Sequence, residues 1–296
     1  LENVEVDINL LVTGVIGCGR LGSSLFRALQ QRGAGNVFMY SPEPYRAVQS
    51  RFLPEEKYFS TLTREWTARN SLIIIAVNDQ AIPEVCDKLQ QYELSGKIIL
   101  HTSGAAPASA LDSLKQRQAI TGSLHPLQTF ARRYAPASVW QNITCAFQGD
   151  AQAMPVAAKF CEILGARIVP VSAQQKIALH LAASVISNYT VGLIGWAEQI
   201  LATAGFAAGE SNELLQPLLL RTAKNYRNHS PGEILTGPLQ RGDAGTMQQH
   251  LDFLKQFAPP SQLELYCKLA GQIIANPNFQ TEQCEKILEL LREYNH

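Results

Sequence analysis

The hexapeptide Gly17-Cys18-Gly19-Arg20-Leu21-Gly22 restricts the fold of this 296-residue chain more than any other stretch. It follows a β-branched run, "LLVTGVIG", and opens a helical stretch, "LGSSLFRALQQRG", that stops at Gly33. In that setting each glycine has a mechanical reason. Gly17 makes a tight turn, Gly19 lets a pyrophosphate approach the backbone, and Gly22 allows close packing of helix on strand. The helix N-terminus adds positive potential. The motif alone also fits a loop that merely turns tightly. Its place after a strand and before a helix predicts the opening unit of a dinucleotide-binding sheet.

The rest of the first half continues the pattern. Strand-like runs ("NVFMY", "LIIIAV", "KIILHTSG", "AITGSLHPL", "NITCAFQG", "ARIVPVS") alternate with helical ones ("AIPEVCDKLQQY", "SALDSLKQR", "AMPVAAKFCEIL"). Such alternation predicts a parallel sheet covered on both faces. After Ser172 the strands stop. Helical periodicity runs through Lys176–Thr203, Glu213–Asn225, Thr246–Phe257, Ser261–Ala275 and Thr281–Tyr294, with Ser261 and Glu264 spaced as a capping box. The expected fold is α/β: a Rossmann-like, doubly wound, mostly parallel sheet over 1–171, then an all-α domain over 172–296.

Charged residues make up only 17% of the chain, against roughly 25% in an average soluble domain. Sparse charge implies covered surface, and an oligomer is expected. Net charge is zero and no basic run occurs, so neither nucleic acid nor an anionic membrane is an expected partner. The longest unbroken apolar run, "LIIIAV", falls far short of the ~18 residues of a membrane helix. The N-terminus has no basic n-region. The 6 cysteines are scattered without a C-x-x-C, which fits free thiols, a cytoplasmic location and no bound metal.

Several residues are candidates for cofactor contact. An NAD site usually ends its second strand in Asp or Glu to hold the ribose 2′-hydroxyl. Here the strand ends at Ser41, Glu43 follows between prolines, and Arg46 comes soon after. A hydroxyl beside a guanidinium suits a 2′-phosphate, so NADP (as NADPH) is the expected cofactor; the alternative is a capped turn with a solvated arginine. Val77, Asn78 and Asp79 end the "LIIIAV" strand and Thr102 the "KIILHTSG" strand, at the carboxyl edge where open α/β sheets bind ligands. Asp79 equally suits an N-cap.

Polar residues also gather on the first helix after the sheet. In "KIALHLAASVISNY", steps of 100° place Lys176, His180, Ser184, Ser187 and Asn188 on one side of an otherwise apolar helix. Buried polar groups need partners, so the stripe reads as a cleft wall or an internal network. His180 and Asn188 are about 12 Å apart along the axis and do not contact one reacting atom. Ser103 and His125 end successive strands, where an imidazole can pass a proton to a forming alkoxide; a histidine at a domain junction is the alternative. Arg132 and Arg133 suit a substrate carboxylate or a solvated pair. The loop "LTGPLQRGD" adds Arg241 and Asp243 as substrate contacts, or is a plain connector.

The pieces "GVIGCGRLG", "IIIAVNDQAIPEV", "ILHTSGA", "SLHPLQTF", "HLAASVISNY" and "LTGPLQRGD" span most of the chain from 12 to 257. Together they resemble the two-domain Rossmann-like proteins with a helical C-terminal domain of unknown function, classed as candidate NADP oxidoreductases. That family includes an alternative ketopantoate reductase. Its wider superfamily resembles the 6-phosphogluconate and other β-hydroxyacid dehydrogenases, pyrroline-carboxylate reductase and prephenate dehydrogenase. The resemblance implies a hydride-transfer enzyme, often dimeric through its helical domains. β-Hydroxyacid dehydrogenases carry Lys-x-x-x-Asn on the interdomain helix. Asn188 fits the asparagine, but Ser184 stands at the lysine position and Lys176 comes two turns too early. Ser103 with His125-Pro126 resembles instead the serine and histidine of prephenate dehydrogenases. The expected proton donor is therefore His125 first and His180 second. Asn188 would orient substrate or nicotinamide, with Ser184 and Ser187 as further contacts. The expected activity is NADP-dependent reduction of a small 2-oxo acid, ketopantoate being the best single choice. A prephenate-like or imine substrate is an alternative, as is a non-catalytic NADP(H)-binding redox sensor.

Overall fold

The computed structural model describes residues 12–34, 36–279 and 284–294. The first residues of the opening run, the N-terminal segment and Thr281 lie outside that set. Seven strands follow the sequence pattern: β1 (Thr13–Ile16), with helix α1 (Arg20–Gln31) after it, then β2 (Val37–Tyr40), β4 (Leu72–Ile75), β5 (Ile98–His101), β6 (Ile120–Pro126), β7 (Thr144–Gly149) and β8 (Arg167–Pro170). A further strand, β3 (Tyr58–Phe59), is too short to show periodicity. The sheet order is β3-β2-β1-β4-β5-β6-β7-β8. All pairs are parallel except β6 with β7, where His125 faces Ala146.

The central strands are fully buried because helices cover both faces. Side chains alternate between two cores. Val15, Ile74 and Leu100 pack on one face with Leu25, Phe26 and Leu29 of α1. Ile16, Ile73, Ile75 and Ile99 pack on the other with Val85 and Leu89 of the helix Ile82–Leu89. From β1 the chain moves outward to β2 and β3, then returns past β1 to β4. This reversal opens a crevice at the carboxyl ends of β1 and β4, the usual ligand position in open α/β sheets.

The chain divides into two compact units, Leu1–Asn188 and Tyr189–His296. The break falls later than the expected 171/172, because the first helix after the sheet packs with the sheet. That helix, Ala173–Ser184, starts with a capping box of Ser172 and Gln175, and Lys176 on its first turn is buried. A π-helical turn, Val185–Tyr189, follows, then the helix Thr190–Thr203. The continuous stretch Ala173–Thr203 contains an 18-residue window with a mean hydropathy of 1.6 and is long and apolar enough to cross a membrane, by length and composition alone. A search for unbroken apolar runs does not register it, since Lys176, His180 and Ser184 interrupt the runs.

The second unit is helical, and its core joins the helices Ala244–Phe257, Pro260–Ala275 and Glu285–Tyr294 through Met247, Leu251, Cys267, Ile287 and Leu291. The capping box expected at Ser261 does not form. The helix starts at Pro260, which suits the first turn because its missing N–H has no intrahelical partner there. Ser261 therefore lies inside the helix, and Glu264 pairs with Lys268 along its face at 2.5 Å. The helix expected from Glu213 starts earlier, at Ala208.

Candidate functional site

The glycine loop is shaped by contact. Gly17 has a φ of +104°, and a Cβ there would meet the Ala76 carbonyl oxygen at 2.5 Å. A Cβ on Gly22 would lie 2.0 Å from the Gly17 carbonyl oxygen. Neither position admits a side chain. Gly19 is different: nothing lies within 4 Å of where its Cβ would be. Gly19 is the N-cap of α1 and supplies no side-chain cap, so the first amides of the helix face open space with the positive end of the dipole. A cleft of about 520 Å³ adjoins them, lined by Gly19, Arg20, Leu21, Val77, Asn78, Asp79, Thr102 and Ser103. This arrangement fits a dinucleotide pyrophosphate. Asp79 enters the cleft wall in a short 3-10 turn, and Asn78, not Asp79, holds the N-cap position.

At the end of β2, Ser41 is buried. The Tyr58 hydroxyl donates to the carbonyls of Ser41, at 2.9 Å, and of Glu43. Arg46, on the single turn Tyr45–Val48, is exposed. Arg133, read from sequence as a possible substrate anchor, pairs instead with Glu43 at 3.3 Å. Both bear on the Cys18 thiol of the glycine loop, whose pKa is raised mainly by burial.

A second cluster forms where β5 and β6 end. His125 Nδ1 lies 3.1 Å from the Thr102 carbonyl. A carbonyl only accepts, so Nδ1 carries the proton and Nε2 keeps its lone pair in the neutral ring. His180 stands against His125, with ring centroids 5.6 Å apart at 80°. A Cβ on Gly104 would lie 2.4 Å from His180 Nδ1 and 2.8 Å from His125 Nε2. Two imidazole nitrogens therefore converge on one point over Gly104, and only glycine fits beneath them. His180 Nδ1 is buried without a hydrogen-bond partner. Burial pushes the His125 pKa below its ordinary value, and the charges of His180 and Lys176 push the same way; the bond to Thr102 opposes them.

Lys176 lies beneath this loop, 2% exposed. Its Nζ donates to the carbonyls of Ser103 at 2.7 Å and Ala106 at 2.5 Å, and to Ser123 Oγ at 2.8 Å. An ammonium has three donors, and all three are used on protein. Burial lowers its pKa to about 8, against the attraction of Asp79. His101 is fully buried, donates from Nε2 to the Pro107 carbonyl at 3.0 Å and accepts the Ser103 amide at Nδ1. Burial first, then the Lys176 charge, lowers its pKa to about 4. Ser103 Oγ accepts the amides of Ala105 and Ala106 and shapes the turn.

These positions change the reading of the polar stripe. The residues that reach the strand ends are Lys176 and His180, one turn apart. Ser184 ends the α-helix, and Ser187 and Asn188 lie within the π-helical turn that follows, where i→i+5 bonding breaks the 100° step. Ser187 Oγ donates to the Ala183 carbonyl at 2.7 Å and to Asn188 Oδ1 at 3.3 Å. Arg241 and Asp243 belong to the second unit. Asp243 caps the helix Ala244–Phe257, accepting the Thr246 amide at 3.0 Å and hydroxyl at 2.7 Å. His101 and Gly104 were not among the residues singled out for the site, and Lys176 was read as part of the polar stripe but given no role of its own. Among the described residues no group of three or more His, Cys, Asp or Glu side chains is placed to hold a metal.

Comparison with known proteins agrees with this architecture. Residues 2–126 match the family described as a Rossmann-like domain. Residues 143–273 match the domain of unknown function DUF2520. No curated protein matches the sequence significantly. Among solved structures, the chain is similar to a candidate NADP oxidoreductase from Bacteroides fragilis, with 21% identity, a TM-score of 0.69, and coverage of 91% of this chain and 100% of that one. It is similar to the NADP-bound pyrroline carboxylate reductase of Plasmodium falciparum (12% identity, TM-score 0.60, 88% and 97% covered). It is also similar to an imine reductase from Myxococcus stipitatus in complex with NADP+ (15% identity, TM-score 0.62, 96% and 100% covered). At these identities the likeness establishes the shared fold.

Proposed function

We propose that this protein is an NADP-dependent oxidoreductase that reduces a small 2-oxo acid, with ketopantoate as the first substrate to test. One observation carries the reading: two imidazole nitrogens converge over Gly104, on a loop whose Thr102 and Ser103 line the glycine-loop cleft. The bare first turn of α1 would hold the pyrophosphate, with Gly19 open to it. The cofactor, when bound, supplies the hydride. This chain supplies the proton. The Thr102 carbonyl fixes His125 Nδ1–H, so Nε2 is the atom that loads and releases a proton toward the point over Gly104. His180 Nδ1 is its neighbour and the second candidate. Lys176 is the weaker donor, because its three N–H groups are committed and it has almost no exposure.

The charges around that point favour a carbonyl over an imine. A protonated imine is a cation, and the groups nearest the convergence are two imidazoles and a buried ammonium. Asp79 is the carboxylate of the cleft wall. A 2-oxo acid brings a negative charge to the same place. The lowered pKa leaves His125 Nε2 mostly unloaded at neutral pH, and an anionic substrate beside it favours the protonated ring. Purified protein is expected to oxidise NADPH, followed by nicotinamide absorbance, faster with ketopantoate or another 2-oxo acid than with cyclic imines, and faster with NADPH than with NADH. Faster imine turnover would replace the substrate class. NADPH binding without any turnover across both panels would replace the enzyme with a redox sensor.

A homodimer is part of the same proposal. Ile177, Leu181 and Ile186 in the first unit, and Val191, Leu214 and Leu218 in the second, are each more than half exposed. So much exposed aliphatic surface supports a covering partner, and light scattering on the full chain tests for a mass of two copies.

A further inference from the structure

The connection between β6 and β7 is not a free loop. Its segment 131–137 lies along α1 and is tied to it at four points. Tyr134 N donates to Ser23 Oγ at 3.0 Å, and Ala135 N to Ser24 Oγ at 2.9 Å. Arg27 donates to the Tyr134 carbonyl at 2.6 Å, and Ala137 N to Gln31 Oε1 at 2.9 Å. The Tyr134 ring runs inward. Its hydroxyl donates to the Val48 carbonyl at 2.6 Å and meets Cys18 Sγ of the glycine loop at 3.3 Å. Tyr134 also has a φ of +54°, a left-handed conformation uncommon for a bulky residue. Such backbone persists only where its surroundings over-determine it, and it clusters at functional sites. Here the four ties and the buried hydroxyl hold it.

The residue before this turn is Arg133. It meets Glu43 at 3.3 Å, across 90 positions of sequence. Glu43 sits two residues past Ser41, in a turn whose two carbonyls are held by the Tyr58 hydroxyl. At the end of the second strand a carboxylate serves the 2′-hydroxyl of an unphosphorylated ribose, and a guanidinium serves a 2′-phosphate. Arg133 does two things there. It occupies the carboxylate that would hold a 2′-hydroxyl, and it brings a planar, permanently charged group suited to phosphate.

We propose that Arg133, presented by the Tyr134 turn, is the residue by which this protein distinguishes a dinucleotide bearing a 2′-phosphate from one lacking it. The assignment rests on the nicotinamide-dinucleotide reading above and refines it. It moves the specificity contact from Arg46, the choice from sequence, to a residue carried by a distant strand connection. Ser41, the other choice from sequence, is buried at the start of the same turn.

The test is direct binding, so it needs neither substrate nor turnover. Dissociation constants for NADPH and NADH are measured by the fluorescence of the reduced nicotinamide, for the wild-type protein and for Arg133→Met, Arg133→Lys, Glu43→Gln and Arg46→Met. Arg133→Met is expected to weaken NADPH by about 10- to 100-fold, the size of one or two lost charge-assisted hydrogen bonds, and to leave NADH unweakened or a few-fold tighter, because Glu43 is released toward the 2′-hydroxyl. Arg133→Lys falls between. Glu43→Gln is expected to tighten NADPH a few-fold, because it frees the guanidinium. The Arg133 side chain is 40% exposed, and the nucleotide-free melting temperature of its variants is expected to match the wild type. An unchanged NADPH-to-NADH ratio in Arg133→Met, or a loss confined to Arg46→Met, would overturn the assignment while leaving an oxidoreductase standing. Wild-type protein that binds neither nucleotide would overturn both.

Discussion

The glycine-loop region is finished by two clusters built on opposite physics. At the histidine cluster, polar groups are buried and held by backbone. Lys176 gives its charge to two carbonyls and a hydroxyl, and His101 and His125 are fixed by the carbonyls of Pro107 and Thr102. At the Arg133–Glu43 pair, the two charges are each about 40% exposed and face one another at 3.3 Å. A surface pair of that kind is worth little to stability and is cheap to rearrange when a ligand arrives. The buried cluster cannot rearrange without stranding polar atoms. One is suited to chemistry that needs fixed geometry, the other to selection between ligands.

That contrast can be tested in decreasing order of effect. His125→Asn should lower the hydride-transfer rate by roughly 10²- to 10⁴-fold, the range for loss of a general acid, with the NADPH dissociation constant little changed. A rate close to wild type in single-turnover measurement would remove His125 from the proton path and leave His180, tested by His180→Asn. Gly104→Ala puts a methyl group where the two ring nitrogens converge. The expected cost is on the order of 10²-fold in rate from displaced rings and about 1–3 kcal/mol in stability from overpacking. A wild-type melt and rate would mean that the loop yields and the convergence is loose.

The next effect is on stability against pH. His101 has its pKa lowered from 6.5 to about 4. Below pH 6.5 the unfolded chain binds the proton more readily than the folded one, so acid favours unfolding until the folded pKa is passed. The neutral ring's contribution is complete above pH 6.5 and is lost as pH falls through about 4. At pH 5 the loss is on the order of 2 kcal/mol. Denaturant midpoints should fall between pH 7 and pH 5, and less so in His101→Gln. An identical pH dependence in that variant would show that another group carries the effect. The smallest effect sits at the rim. Glu43→Gln should leave the nucleotide-free stability unchanged within about 0.5 kcal/mol, as expected for an exposed pair. A larger drop in the denaturant midpoint would erase the contrast between the two ends.

Much of this was readable in advance, and the failures have physical causes. The glycine loop declared itself because sterics admit nothing else at Gly17 and Gly22. Ser103 and His125 were placed together because parallel strands align their carboxyl ends. The contacts of Lys176 with the Ser103 and Ala106 carbonyls were not legible, because they join a helix to a loop about 70 residues earlier. Gly104 carries no periodic signal, and its meaning appears only when two distant histidines are brought over it. The pairing of Arg133 with Glu43 was not legible, because it depends on a left-handed tyrosine and a contact across 90 residues.

The serines that anchor segment 131–137 have one more consequence. Ser23 Oγ donates to the Gly19 carbonyl at 2.6 Å while it accepts the Tyr134 amide. Ser24 Oγ donates to the Arg20 carbonyl at 2.6 Å while it accepts the Ala135 amide. Each hydroxyl is a relay between the glycine loop and a peptide far away in sequence. The amides of Tyr134 and Ala135 are therefore expected to exchange with deuterated water more slowly when the first turn of α1 is held. Their exchange rates are a clock for that turn, and a dinucleotide seated on it should slow them although it touches neither residue.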